Sequence, residues 1–206
     1  MSDLWVWPAA PGWDSAWRCR ISVATIDRSG PFSSFPGVGR WFALLDGHGV
    51  ALDFQDRSIE LQPGDPACFF EGDEAPQCRL LGGPARALNL MVQSSETGDR
   101  LAASGMMAPL DSNQSYSAGK AVQSGLFTMA VGRLYRDGHQ AIEVAADCLV
   151  WSQTAEKGDW RFEAHSARST NPSTALSTAR SAAPSANEQP SAQAPAWRIG
   201  YFGSPS

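Results

Sequence analysis

Apolar and polar residues alternate with a period of two through most of the first 92 residues, a pattern typical of half-buried β-strands. The clearest strand spans 20–26 and ends at the turn signal Asp27-Arg28-Ser29-Gly30-Pro31. No segment of this region carries an apolar stripe of helical period. The pattern therefore predicts an all-β, antiparallel sandwich or barrel. Further strands are predicted over 41–45, 50–55, 58–61, 68–70, 78–81 and 86–92.

Strand signals return in the second half of the chain, after a polar stretch. Residues 94–124 are mixed and polar, and we interpret them as a connection. Strands are predicted over 126–135, 141–144, 148–151 and 160–164.

The composition changes sharply after these strands. Between 166 and 195, 22 of 30 residues are Ala, Ser, Thr or Pro. Such a segment buries too little apolar area to offset the entropy lost on ordering, so we expect a disordered insert. The aromatic segment 196–202 follows it. We expect this segment to return to the folded body as a last strand, and the alternative is an exposed, adhesive tail.

These patterns predict two halves separated by a connection and interrupted by an insert. The predicted boundaries are 1–93 for the N-terminal half, 94–124 for the connection, 125–165 plus 196–206 for the C-terminal half, and 166–195 for the insert.

The net charge of the chain argues against polyanionic partners. The 206 residues have a net charge of −5 and no cluster of basic side chains. Nucleic acids and anionic membrane surfaces require such clusters, so we expect neither as a partner. No apolar run reaches about 18 residues, and no signal-peptide pattern opens the sequence. We therefore predict a cytoplasmic protein and leave a homodimer open.

The cysteines and histidines offer little chemistry. The cysteines form no CxxC motif and lie in apolar or strand-like stretches. We expect reduced, buried thiols, with a Cys68–Cys78 disulfide as the alternative. The histidines are scattered in turns or beside the insert, which does not suit a metal site. We expect no metal and no cofactor. These residues are Cys19, Cys68, Cys78, Cys148, His48, His139 and His165.

Sequence motifs of catalysis are also missing. The chain contains no Gly-x-Ser-x-Gly and no glycine-rich phosphate loop. We therefore predict no catalytic residue.

The strongest local signal for function is the segment 30–40. Its sequence is Gly-Pro-Phe-Ser-Ser-Phe-Pro-Gly-Val-Gly-Arg. Pro and Gly fix tight turns around two Phe rings, and Arg40 follows on the next strand. Guanidinium donors beside rings that exclude water suit a carboxylate ligand. The alternative is a rigid loop whose Phe rings plug the end of a barrel.

This segment, together with Arg-Ile-Ser-Val-Ala at 20–24, resembles the HutD/Ves family. The likeness covers 4–92 well and 125–163 loosely. It includes Leu45-Asp46-Gly47, Leu61-Gln62-Pro63-Gly64-Asp65, Phe70-Glu71-Gly72 and Leu88-Asn89-Leu90-Met91-Val92.

The resemblance implies a bicupin, which is a pair of cupin-like double-stranded β-helix barrels. It also implies a regulatory or ligand-binding protein of histidine utilisation. The ligand that it implies is a formylated or formimino-glutamate-like acid. The resemblance brings no established enzymatic activity with it.

Two departures from the family pattern bear on the pocket. Family members begin with a Trp-Lys-Asn-Gly-Gly-Gly-x-Thr-Arg-Glu element, which this sequence lacks. Either the start was placed too late, or the chain is a degenerate member with an altered pocket. Members also often carry an acidic residue at the position of Gly39. The resemblance therefore implies that Arg40 has no carboxylate to orient it.

Four tryptophans crowd the first 17 residues. We interpret them as part of an edge strand whose indoles seal the first barrel against the second. The alternative is a set of stacking residues at a barrel mouth. They are Trp5, Trp7, Trp13 and Trp17.

Together these observations predict a non-enzymatic bicupin that binds a small acidic metabolite, formylglutamate-like in chemistry, and modulates histidine utilisation. Two alternatives stay open: a cupin enzyme that acts on a small acid as an isomerase or hydrolase, and an inert, degenerate paralogue. The predicted ligand-binding residues are Arg20 and Arg40 for carboxylates, Ser22 and Asn89 for hydrogen bonds, and Phe32 and Phe35 for the apolar wall.

Overall fold

The computed structural model describes residues 2–7, 17–93, 104–117, 119–153, 158–165 and 194–202. Within these ranges the chain forms strands, turns and loops, and no helix. No helix that is long and apolar enough to cross a membrane occurs in these ranges. Trp13 and residues 166–193 of the predicted insert lie outside them.

The first half builds two antiparallel sheets from nine strands. The strands are β1 (Ser2–Trp7), β2 (Cys19–Ile26), β3 (Gly30–Pro31), β4 (Val38–Asp46), β5 (Val50–Asp53), β6 (Ser58–Leu61), β7 (Cys68–Glu71), β8 (Gln77–Leu80) and β9 (Ala85–Gln93). The first inner sheet has the order β1-β2-β9-β4-β7, and the first outer sheet has the order β3-β8-β5-β6.

The second half builds two more sheets from eight strands. The strands are β10 (Gly105–Leu110), β11 (Ser115–Ser117), β12 (Gln123–Thr128), β13 (Gly132–Arg136), β14 (Ile142–Val144), β15 (Cys148–Ser152), β16 (Asp159–Ala164) and β17 (Ala196–Tyr201). The second inner sheet has the order β10-β17-β12-β15, and the second outer sheet has the order β11-β16-β13-β14.

The two halves repeat one topology. Strands β2 to β9 correspond in chain order to β10 to β17, and the order of each sheet in one half matches that of the other, strand for strand. Only β1 has no counterpart among the described strands. The all-β, cupin-like architecture that the resemblance implies is thus present, as two sheet pairs.

Alternating side chains of the central strands separate a barrel interior from a seam between the halves. On β4, Phe42 and Leu44 join the apolar cluster inside the first barrel. Their neighbours Trp41 and Ala43 join the cluster between the two inner sheets, to which the second half contributes Trp197. Both faces of this strand are buried, which explains its continuous apolar sequence.

The first strand supports the interpretation of the tryptophans as a seal. It lies at the edge of the first inner sheet, where it pairs with β2. The Trp5 ring lies 6.5 Å from that of Trp151, and the Trp7 ring lies 5.8 Å from that of Tyr201. Both indoles therefore contact the second half.

The second half differs from its sequence prediction in two places. The region interpreted as a connection contains β10 and β11. The strand region expected over 126–135, with a turn at Gly132, forms β12 and β13, and the break between them lies just before Gly132. The final segment forms β17, which lies in the middle of the second inner sheet between β10 and β12.

All four cysteines are free, so the alternative Cys68–Cys78 disulfide is not formed. Burial raises the pKa of Cys19 to about 12. Burial also raises the pKa of Cys78, to about 11. Both thiols therefore keep their protons at neutral pH and are poor nucleophiles.

Candidate functional site

The candidate site is built around Arg40, whose side chain points into the first barrel. Arg40 lies on β4 and is only 8% exposed. Asn89 on β9 orients it, because its Oδ1 accepts hydrogen bonds from Nε at 3.1 Å and from Nη2 at 2.7 Å. A neutral amide thus does the orienting, at a site where the sequence offers no adjacent acid.

Two aromatic rings enclose the guanidinium. Its central carbon lies 4.3 Å from the ring centre of Phe32 and 5.5 Å from that of Phe70. A cation over a ring face is stabilised by the quadrupole of the ring, and a desolvated contact is the stronger kind. The rings therefore support a buried charge and keep water away from it.

That charge is not neutralised within the described residues. Arg20, also buried, is paired with the carboxylate of Asp3 at 2.8 Å, whereas Arg40 forms no ion pair there. Burial lowers the pKa of Arg40 to about 10, nearby Arg20 lowers it as well, and Cys78 acts in the opposite direction. Arg40 remains protonated at neutral pH, so this part of the barrel attracts anions.

Arg40 keeps one edge of its guanidinium for another partner. A guanidinium has five N–H donors, and Asn89 takes one from Nε and one from Nη2. The second N–H of Nη2 and the adjacent N–H of Nη1 form the other edge of the guanidinium. This edge makes no hydrogen bond to the described residues. This edge matches the two oxygens of a carboxylate.

Two further polar atoms beside Arg40 are buried without a hydrogen bond. They are Asn89 Nδ2 and Ser22 Oγ. Ser22 on β2 lies directly opposite Asn89 in the sheet register, so the two residues are neighbours on the inward face. Buried polar atoms normally find partners, and leaving one unpaired costs about 1–3 kcal/mol. An amide donor and a hydroxyl are thus available to a ligand.

The loop before β4 is fixed by backbone contacts. Phe32 N donates to Pro76 O at 2.9 Å, and Phe35 N donates to Gly72 O at 2.8 Å. A Cβ at Gly72 would lie 2.5 Å from Phe35 O, so only glycine fits there. These contacts hold Phe32 over Arg40.

The structure brings together most, but not all, of the predicted ligand-binding residues. Three of them lie on the inward face of the first inner sheet: Arg40, Asn89 and Ser22. The ring of Phe32 lies over the guanidinium of Arg40. Arg20 lies in the same row as Arg40, with Met91 between them in the register, and its guanidinium is paired with Asp3. Phe35 is half-buried and contributes backbone hydrogen bonds to the loop.

Two contributors were missing from the sequence prediction. Phe70 places a second ring beside Arg40, and its position in the alternating run of β7 was the available signal. Asp3 forms an ion pair with Arg20, which lies 17 residues away in the sequence. No sequence motif predicts that pair.

The described part of the chain contains no group of three His, Cys, Asp or Glu side chains that could hold a metal ion. The arginine, amide and hydroxyl groups beside Arg40 suit the recognition of an anion.

Comparison with known proteins places this chain in a family. The HutD family model matches residues 2–170. The chain belongs to the HutD family. A curated relative, an uncharacterized 21.2 kDa protein encoded in the hutC 3' region of Pseudomonas putida, is 38% identical over 77 residues. That match covers 35% of this chain and spans only 38% of the relative's length.

Solved structures of related proteins share the fold of this HutD-family chain. A conserved protein of unknown function from Pseudomonas aeruginosa PAO1 is 23% identical, with a TM-score of 0.68 over 96% of this chain and 84% of that one. HutD from Pseudomonas fluorescens SBW25, solved in a formate condition, is 24% identical, with a TM-score of 0.52 over 75% of this chain and 83% of that one.

Proposed function

We propose that this HutD-family protein binds a small carboxylate in its first barrel and acts as a non-enzymatic sensor in histidine utilisation. The observation that carries the proposal is the buried guanidinium of Arg40, which Asn89 orients and which has no carboxylate partner in the described residues. Such a charge is costly to bury unless an anion joins it.

The ligand carboxylate would bind the free Nη1–Nη2 edge of Arg40 as a bidentate pair. The Phe32 ring excludes water, which strengthens both hydrogen bonds because the surroundings are of low dielectric. An additional carbonyl oxygen on the ligand would accept from Asn89 Nδ2, and Ser22 Oγ would supply a further hydrogen bond. A formylglutamate-like acid has both a carboxylate and such a carbonyl.

The relatives support a role in histidine utilisation. The Pseudomonas putida relative is named by its position beside hutC, and the Pseudomonas fluorescens HutD structure was solved in a formate condition. Both facts belong to those proteins. They favour a ligand from histidine breakdown, with modulation of that pathway as its consequence.

Calorimetric titration of the full chain with N-formylglutamate, formate and glutamate tests the proposal. We expect saturable heat with at least one of these acids, and a loss of at least about 100-fold in affinity for Arg40→Met. Arg79→Met is the matched control, because Arg79 is an exposed arginine of the outer sheet, paired with Asp53. No heat with any of the acids, or equal binding by Arg40→Met, would refute the proposal.

A further inference from the structure

The second barrel also contains an inward-facing arginine. Arg198 lies on β17, where its register neighbours are Leu126 on β12 and Ala108 on β10. Leu126 belongs to the apolar cluster inside the second barrel, whereas Trp197 and Ile199 belong to the seam. By the alternation of a strand, the Arg198 side chain faces the barrel interior.

Arg198 has small side chains beside it on β17 and β10, and Leu126 beside it on β12. Its neighbours two positions away on the same face of β17 are Ala196 and Gly200, and its neighbour on β10 is Ala108. None of these reaches the end of an arginine side chain. The Phe202 ring packs against Gly200, 3.4 Å from the position that a Cβ there would take.

The buried polar atoms in this barrel that have no hydrogen bond of good geometry include one on Arg198 and one on Tyr116. These two are Arg198 Nε and Tyr116 Oη. The guanidinium of Arg198 lies 5.5 Å from the ring centre of Tyr116, which is only 2% exposed. Burial raises the pKa of Tyr116, which keeps the hydroxyl protonated and able to donate. A hydrogen-bonding contact with Ser124 acts in the opposite direction on that pKa. The Arg198 guanidinium and the Tyr116 ring thus lie side by side, each with a buried donor.

The described strands supply no inward carboxylate to this arginine. On the second outer sheet, Glu143 and Glu163 both lie opposite Arg133 in the register, and Asp159 lies opposite Ser117. These positions alternate with the inward ones that carry Leu134, Tyr116 and Trp160. All the acidic residues of the second-half strands therefore face outward.

We propose that the second barrel holds a second anion site, in which Arg198 and Tyr116 bind the carboxylate of a small monocarboxylic acid. The guanidinium supplies the charge and a directed Nε–H, and the Tyr116 hydroxyl donates to the same anion. This site is independent of Arg40, because the seam between the inner sheets separates the two barrel interiors.

The test uses the arginine Nε–Hε resonances of the full chain in solution. Arg40→Met removes the first site, and the resonance missing from Arg198→Met, or from Arg198→Lys should the first variant fail to fold, identifies Arg198. Sodium acetate is titrated into Arg40→Met at constant ionic strength, with sodium chloride as the matched salt. We expect acetate to shift the Arg198 resonance saturably and chloride to leave it in place.

Tyr116→Phe separates binding from structure. The contact of this hydroxyl with Ser124 falls short of good hydrogen-bond geometry, so its removal should change the melting temperature by no more than about 2–4 °C. We expect it to weaken the acetate-induced shift of Arg198 by about 3- to 10-fold. An acetate response absent, linear or equal to that of chloride would overturn the second site, and so would unchanged binding by Tyr116→Phe. These results leave the first site untouched, because Arg40 is already absent.

Discussion

The two barrels share one topology but place the arginines of their proposed sites on different strands. In the first barrel Arg40 belongs to β4, and an amide on the neighbouring β9 orients it. In the second barrel the arginine lies on β17, the counterpart of β9, and it faces Tyr116 on the outer sheet. A duplicated topology therefore fixes which positions point inward, while the residues at those positions set the chemistry of each barrel.

The surroundings of the two arginines also differ. Arg40 is enclosed by Phe32 and Phe70 and held by a side-chain acceptor. Arg198 has small neighbours on its own face and an unpaired Nε. The first site is thus preorganised for a directed, bidentate contact, whereas the second has no side-chain acceptor that orients its arginine among the described contacts. Preorganised donors bind more tightly because less entropy is lost when the ligand binds.

The largest effect on this comparison is expected from Asn89→Asp. The new carboxylate would pair with Arg40 and neutralise the charge that attracts a ligand. We expect binding of N-formylglutamate by calorimetry to fall by about 100-fold. The matched control is Asn113→Asp, an exposed change in the second half beside Arg161. Affinity for Asn89→Asp within about threefold of the unmodified chain would contradict the role given to Arg40.

A smaller effect concerns Cys78 of β8, which faces the first barrel interior. Burial raises its pKa from 9.0 to about 11. Above pH 9 the unfolded thiol loses its proton while the folded one keeps it, so the stabilisation present below pH 9 is lost as the pH rises towards 11. We expect this thiol to lower the free energy of unfolding by about 1.4 kcal/mol between pH 7 and pH 10.

Urea unfolding of Cys78→Ala under reducing conditions measures that contribution. The loss between pH 7 and pH 10 should shrink by about 1.4 kcal/mol relative to the unmodified chain. Ile59→Val, a change in the same cluster without a titrating group, should show the full loss. Identical pH dependence in Cys78→Ala and the unmodified chain would show that the thiol is not desolvated.

The smallest effect is expected from Phe32→Leu. Leucine keeps the apolar cover but removes the ring face that lies 4.3 Å from the guanidinium. We expect ligand affinity to fall by about 3- to 5-fold, from the loss of roughly 0.5–1 kcal/mol of cation–π stabilisation. Phe54→Leu removes a similar ring contact, with Arg57 instead of Arg40, and should leave affinity unchanged. Equal losses in both variants would indicate a general packing effect.

The sequence predicted the first half well because its strands alternate cleanly and end at strong turn signals. The same approach failed over β10, since Pro109 lies within that strand and the flanking segment is polar. Proline removes a backbone donor and usually argues against a strand. It is tolerated here because β10 lies at the edge of its sheet, where β17 is its one neighbour among the described strands.

The sequence predicted which residues belong to the site more readily than it predicted which of them contact each other. Arg40 and Phe32 belong to one local motif, so their proximity follows from the chain itself. Asn89 lies 49 residues from Arg40, and only the pairing of β4 with β9 brings them together. The pair of Arg198 and Tyr116 was not predicted, because β17 reaches the second barrel only after the long segment of unusual composition.

The most direct test of the account is a crystal structure of the full chain with N-formylglutamate bound. We predict a ligand carboxylate inside the first barrel, with its two oxygens about 2.7–2.9 Å from Nη1 and Nη2 of Arg40. Asn89 Oδ1 should keep its hydrogen bonds to Nε and Nη2 in that complex. A ligand bound elsewhere in the molecule, with Arg40 contacting only Asn89 and the two Phe rings, would contradict the account.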